Sequence, residues 1–185
     1  MAECKPFRFG VIGISAQSRK EWLAKARRAE ALGFSTFLVW DHFNDQFAPL
    51  PALLAAADAT SSLRIGTCVL ANDYHQPVIL AKEAATLDLL SEGRLELGIG
   101  AGWNQQEYRQ AGIAFDAPLD RVQRLEESVQ IIKGLLTDTA LTFHGHYYTI
   151  TNLHCYPVPI QKPHPPRPMM WAPPDPCQTS TNVGW

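Results

Sequence analysis

Asp41 and His42 are the pair of neighbouring side chains in this chain whose types suit proton transfer. Histidine takes up and releases protons near neutral pH, and a carboxylate beside it can orient the ring and adjust its proton affinity. The pair closes an apolar run, Phe34 to Trp40, that reads as a strand. Successive strand residues face opposite sides, so both can reach one cavity only where the strand has already ended. A second chemical feature is the alternation of Gly98, Gly100 and Gly102 at the end of a strand from Arg94, followed by Ala101-Gly102-Trp103-Asn104. Glycine lacks a Cβ, so a flat ligand or another backbone can approach closely. Asn104 then offers a cap for a helix beginning near Gln105, whose first amides lack backbone partners. A bare strand end followed by a helix N-terminus makes a ligand site. The spacing does not fit the G-x-G-x-x-G dinucleotide fingerprint, because Trp103 occupies the third position. Two plainer readings stay open: glycines that only permit a tight turn, and a His42 that simply meets water.

Other residues carry weaker signals. Cys68 and Val69 end the third apolar run and could wall a flat ring, or Cys68 could be a buried structural thiol. Trp103 and Tyr108 could stack on an aromatic cofactor or pack in a core. Asp73, Tyr74 and His75 follow the third strand, where they could meet substrate or solvent. His144 and His146 flank Gly145, but no third ligand accompanies them, so no metal site is expected. Cys4, Cys68, Cys155 and Cys177 are scattered, without zinc or disulfide spacing.

These residues need a scaffold that brings strand ends together. Phe7 to Ile14 and Phe34 to Trp40 read as buried strands, as do Leu63 to Ala71 and the glycine strand from Arg94. Between them lie a helix with a Ser18/Glu21 capping box, an alanine-rich helix over Pro51 to Thr60, and a helix from Pro77 to Gly93. Strands and helices alternating at roughly 30-residue steps predict a parallel α/β fold of the (β/α)8 TIM-barrel type. Asp120 with Gln123 predicts a capping box for a longer helix with the stripe Val122, Leu125, Val129, Ile132 and Leu136. Thr142 to Thr151 predicts an inserted hairpin, Pro157 to Pro166 an extended linker, and Arg167 to Trp171 the start of another strand. The barrel is therefore expected to be incomplete: residues 1–172 form the N-terminal part, about the first half plus the hairpin, and residues 173–185 an irregular tail. A net charge of −2 gives no reason to expect nucleic acid or an anionic membrane as partner. With no apolar run long enough to span a bilayer, the expectation is a cytoplasmic protein, with a homo-oligomer compatible with these features.

The ordered motifs Trp40-Asp41-His42-Phe43, Ile65-Gly66-Thr67-Cys68-Val69-Leu70, Gln76-Pro77-Val78-Ile79-Leu80-Ala81-Lys82 and Gly98-Ile99-Gly100-Ala101-Gly102-Trp103-Asn104 with Glu107-Tyr108 resemble those of luciferase-like flavin oxidoreductases. The likeness is greatest to the branch that uses the deazaflavin coenzyme F420. That resemblance implies hydride transfer between coenzyme F420 and a small organic substrate, with FMN-dependent monooxygenation as the alternative and a non-catalytic fragment or interaction protein as a third. It implies that Asp41 and His42 lie near the reactive face of the cofactor, with His42 as proton donor or acceptor. It implies a non-proline cis peptide at Cys68-Val69, backing the ring, and a cofactor pocket lined by Gly100, Ala101, Gly102 and Trp103. Some members carry a catalytic glutamate at the position of Trp103, so sugar-phosphate dehydrogenation of that kind is not implied. After Met170 the sequence departs from the family pattern, with no glycine until Gly184. The expectation is a truncated or frameshifted product whose open strand edges would favour aggregation or a partner.

Overall fold

Apolar runs too short for helices become strands covered on both faces, and amphipathic runs become the helices that cover them. The computed structural model describes residues 7–137 and 140–166. Strands β1 (Gly10–Ile12), β2 (Thr36–Val39), β3 (Arg64–Thr67) and β5 (Leu95–Glu96) form one parallel sheet in that order, numbering strands along the chain. Gly10 pairs with Thr36, Phe37 with Ile65, and Ile65 with Leu95. Two short strands, β4 (Leu70–Ala71) and β6 (Ile99–Gly100), form a second parallel pair beyond the ends of β3 and β5.

That second pair corrects the expectation of unbroken strands over Leu63 to Ala71 and from Arg94. The interruption has a local cause. The Thr67 hydroxyl accepts a hydrogen bond from the Gly98 amide at 2.8 Å and donates to the Gly98 carbonyl at 2.7 Å, occupying the place of a backbone rung. A Cβ on Gly98 would overlap the Thr67 carbonyl oxygen, so only glycine lets the two backbones approach this closely. The Leu70 amide then reaches the Gly98 carbonyl at 2.9 Å and restarts the pairing.

Helix α1 (Arg19–Ala31) starts at Ser18, whose side chain accepts from the Glu21 amide. The return arm of the capping box goes elsewhere, because the Glu21 carboxylate takes the Gln17 amide instead. Trp22 on α1 is buried and donates from Nε1 to the Ala52 carbonyl at 2.8 Å, tying α1 to α2 (Pro49–Asp58). α2 thus begins two positions before Pro51, with Pro49 at its first turn, where a missing amide costs nothing. The Gln76 side chain caps α3 (Pro77–Leu90) by accepting from the Val78 and Ile79 amides.

α4 (Gln105–Ala111) follows the glycine strand, and α5 (Pro118–Thr137) packs its Leu125, Val129, Ile132 and Leu136 face into the core beside α3. Because α5 starts at Pro118, Asp120 sits inside its first turn; the expected Asp120/Gln123 capping box is not formed. The hairpin is present as β7 (Leu141–His144) and β8 (Thr149–Leu153), antiparallel. Glu127 on α5 holds it by accepting from the His146, Tyr147 and Tyr148 amides at 2.6, 2.9 and 3.2 Å. The proline segment runs back along the sheet, where Gln161 is anchored on Asp88 and the Leu97 amide donates to the Pro166 carbonyl.

At the far end of the sheet from the glycine turn, buried Glu96 is paired with Arg8 and Arg64. The architecture is a TIM-barrel-type α/β fold, present in part. Arg167 to Trp171, expected to start a strand, and the tail 173–185 lie outside the described residues. No helix among the described residues is long and apolar enough to cross a membrane.

Candidate active site

Each parallel strand delivers a short segment to the same rim of the sheet, the edge where barrel enzymes carry their chemistry. β2 ends at Val39, so Trp40, Asp41 and His42 have already left the pleat. This answers the alternation problem: both Asp41 and His42 line one cavity of about 470 Å³, together with Cys68, Val69, Tyr74, Gly102, Trp103 and Glu107.

The two neighbours do not pair with each other. Asp41 Oδ2 accepts from the Ala71 amide at 2.9 Å and lies 2.9 Å from His75 Nε2. His42 Nδ1 lies 2.9 Å from Glu107 Oε2. The expected role of Asp41 as the carboxylate that orients His42 is therefore corrected. A carboxylate only accepts, so Nδ1 of His42 carries the hydrogen and Nε2 is the nitrogen left for proton exchange.

Beside Glu107 stands Tyr74, whose phenol is pushed up to about 12, first by burial and then by the charges of Glu107 and Asp41. Tyr74 remains a protonated donor throughout the neutral range. Behind it Tyr108, fully buried, donates its hydroxyl to Asp73 Oδ2 at 3.0 Å. Asp73 also receives Arg124 at 2.9 Å, and Arg124 bridges on to Asp116. The loop after the third strand was expected to meet substrate or solvent, yet the Asp73 side chain is only 2% exposed. A single 3₁₀ turn, Asn72–Tyr74, folds it inward.

The opposite wall is short and apolar. The Cys68–Val69 peptide bond is cis, and both residues line the cavity beside Ala71 and Gly102. Burial raises the Cys68 thiol, so it stays protonated at neutral pH and is a wall rather than a nucleophile. Gly102 adopts φ +77°, and a Cβ there would overlap the Tyr108 hydroxyl. Gly100 and Ala101 do not line the cavity. Gly100 lies under Val69, whose Cγ2 would be 2.8 Å from an added Cβ, and the Ala101 carbonyl lies 3.4 Å from the Tyr108 hydroxyl. Of the glycine segment, Gly102 and Trp103 face the cavity; Gly100 and Ala101 shape it from behind. Asn104 is the N-cap residue of α4 but makes no side-chain cap hydrogen bond.

Glu107 is the contributor that pattern reading missed; His75, expected to meet substrate or solvent, instead pairs with Asp41. Glu107 stands three residues after the N-cap residue Asn104, the spacing of a capping glutamate, which hides its reach to His42. Its occurrence in the motif with Tyr108 was the available signal. His144 and His146 sit on the hairpin, away from this cavity. Among the described residues, no group of three or more His, Cys, Asp or Glu could hold a metal ion.

Parallel α/β architecture with a cavity at the strand ends, half His–carboxylate and half bare apolar wall, has the layout of a barrel-type candidate site. Comparison with known proteins makes the class specific: a luciferase-like monooxygenase family model matches residues 4–172, and the chain belongs to that family. The chain is 35% identical over 144 residues to an F420-dependent glucose-6-phosphate dehydrogenase of Amycolatopsis mediterranei, covering 74% of this chain and 43% of that protein. It is 33% identical over 114 residues to an FMNH(2)-dependent dimethylsulfone monooxygenase of Pseudomonas putida, covering 62% of this chain and 30% of that one. Among solved structures it resembles an F420-dependent secondary alcohol dehydrogenase in complex with an F420-acetone adduct, with 27% identity and a TM-score of 0.75, covering 84% of this chain and 50% of that one. A monooxygenase from Streptomyces bottropensis aligns with 25% identity and a TM-score of 0.75, covering 86% of this chain and 52% of that one. The chain thus spans about half or less of the length of these relatives.

Proposed function

We propose that this chain forms the catalytic rim of an oxidoreductase that uses coenzyme F420 to move a hydride to or from a small organic substrate. One observation carries the reading: His42, with Nδ1 held by Glu107, shares a cavity with the apolar wall Cys68-Val69 and the bare backbone of Gly102. That wall fits a flat ring system. Val69, Ala71 and Gly102 offer short or absent side chains, and Gly102 has no room for a Cβ.

When bound, the deazaflavin supplies the two-electron step, taking up or giving a hydride. The chain's own residues manage the proton. With Glu107 accepting from Nδ1, His42 Nε2 takes the proton of a substrate hydroxyl as a carbonyl forms, and returns it in the reverse direction. Tyr74, near Glu107 and protonated at neutral pH, competes for no proton. Asp41 keeps His75 and the Ala71 amide in place, which fixes the segment after β4 that completes the wall.

FMN is the alternative cofactor, favoured by the likeness to the Pseudomonas putida monooxygenase. The proposal includes a small-molecule substrate and a cytoplasmic setting, in keeping with the free thiols of Cys68 and Cys155. Absorbance titration of the full chain with oxidised F420 and, separately, with FMN tests it. Saturable one-to-one F420 binding, tighter than FMN, is expected. FMN binding more tightly selects the alternative, and binding of neither refutes the reading.

A further inference from the structure

Trp103 is the exposed aromatic residue of the cavity: it is 73% exposed, while Ala71 and Glu107 of the same lining are buried. Its indole stands nearly perpendicular to the His42 imidazole, with centroids 5.8 Å apart and an interplanar angle of 80°. A ring seated against the deep wall of Val69, Ala71 and Gly102 leaves Trp103 at the mouth, beside the proton-exchanging histidine. The indole is thus an exposed aromatic surface next to His42. From this geometry we propose that Trp103 contacts the substrate rather than the cofactor, and selects an uncharged alcohol or carbonyl compound with a flat apolar group next to the reacting carbon. The inference rests on the oxidoreductase reading above.

Charge points the same way. The charged residues lining the cavity, among those described, are the carboxylates Asp41 and Glu107, with no lysine or arginine. Arg124, behind the site, is already bound between Asp73 and Asp116. A phosphorylated sugar would bring a dianion towards two carboxylates with no free cation from this part of the chain. A flat neutral group instead gains contact with the indole face, an interaction whose loss weakens binding about tenfold.

The test measures affinities by saturation-transfer NMR on the full chain, with acetophenone and glucose 6-phosphate as probes, alongside F420 titrations of the same samples. Because Trp103 is exposed, Trp103→Ala should retain the wild-type circular dichroism spectrum. The expected result is saturable acetophenone binding to the wild type, about tenfold weaker in Trp103→Ala and largely restored in Trp103→Phe. Glucose 6-phosphate should bind more weakly than acetophenone, and F420 affinity should change less than about threefold. The proposal is overturned if acetophenone does not bind saturably, if Trp103→Ala changes its affinity less than twofold, or if glucose 6-phosphate binds more tightly. A fall in F420 affinity as large as that for acetophenone also overturns it, assigning Trp103 to the cofactor. Should F420 fail to bind while acetophenone binding still depends on Trp103, the cofactor reading fails and the role of Trp103 stands.

Discussion

Replacing Gly102 with alanine tests whether the cavity wall and the network behind it are one unit. At φ +77° a residue with a Cβ is strained, by about 1–2 kcal/mol. The new methyl would overlap the Tyr108 hydroxyl and lie 2.9 Å from its Cζ, so the phenol ring must move. It has little room: Tyr108 is fully buried, with the Tyr74 and Phe115 rings centred 5.0 and 4.9 Å away. Moving it breaks the hydrogen bond to the Asp73 carboxylate, worth about 1.5–3 kcal/mol for a charged acceptor. Together these predict a loss of about 3–5 kcal/mol, a large part of the stability of an ordinary domain. Urea unfolding followed by circular dichroism, with the Tyr108→Phe and double variants alongside, measures it. Tyr108→Phe alone removes the hydrogen bond; combined with Gly102→Ala it also removes the overlapping oxygen. Its cost should therefore shrink by at least about 1 kcal/mol in the Gly102→Ala background. A Gly102→Ala loss below about 1 kcal/mol, or strictly additive variants, would refute the coupling.

Two further perturbations probe the proton pathway and the scaffold. Glu107→Gln removes the charge that holds Nδ1–H of His42; ¹⁵N NMR should show one dominant His42 tautomer in the wild type and a mixture in the variant. In the proposed dehydrogenation, kcat should fall about 10- to 100-fold at nearly constant KM, from the loss of a charge-assisted hydrogen bond. Glu30 has its carboxyl brought down to about 2, chiefly by the Ser62 amide against the opposing effect of desolvation, with the Leu63 and Ser61 amides adding. Since the folded value lies below the unfolded one, the protein binds fewer protons when folded, and this stability is present above about pH 4.5 and lost as pH falls towards 2. Glu30→Gln should lower stability at neutral pH by about 1–2 kcal/mol and flatten the acid limb of a stability-against-pH curve; an unchanged acid limb counts against this.

Much of the scaffold was readable in advance because its signals are local. The run Phe34 to Trp40, the Ser18 cap and the α5 stripe each depend on neighbours within a turn or a strand, and each element formed. The alternate glycines likewise marked close approaches, of the Thr67 backbone at Gly98 and of the Val69 and Tyr108 side chains at Gly100 and Gly102. What escaped reading depends on partners far along the chain. The hydroxyl of Thr67 replaces a backbone rung across 31 positions, which no periodicity reveals, so two strands break where continuous ones were expected. His42 and Asp41 seemed a pair by adjacency, but beyond the strand end their side chains diverge. Glu107 claims one from 65 residues away and His75 the other from 34. Gly100 and Ala101 belonged to the same motif as Gly102 and Trp103, yet Gly100 is the last residue of β6, beneath Val69, and the Ala101 carbonyl faces the Tyr108 hydroxyl, so neither reaches the cavity.

The most direct measurement is a crystal structure of this chain soaked or co-crystallised with F420. The account predicts the deazaflavin ring in contact with Val69 and Gly102, with His42 beside its reacting edge and its Nδ1 still bound to Glu107. A ring found elsewhere, for instance in the groove between β1 and α1 lined by Val11, Ile14 and Leu32, would contradict it.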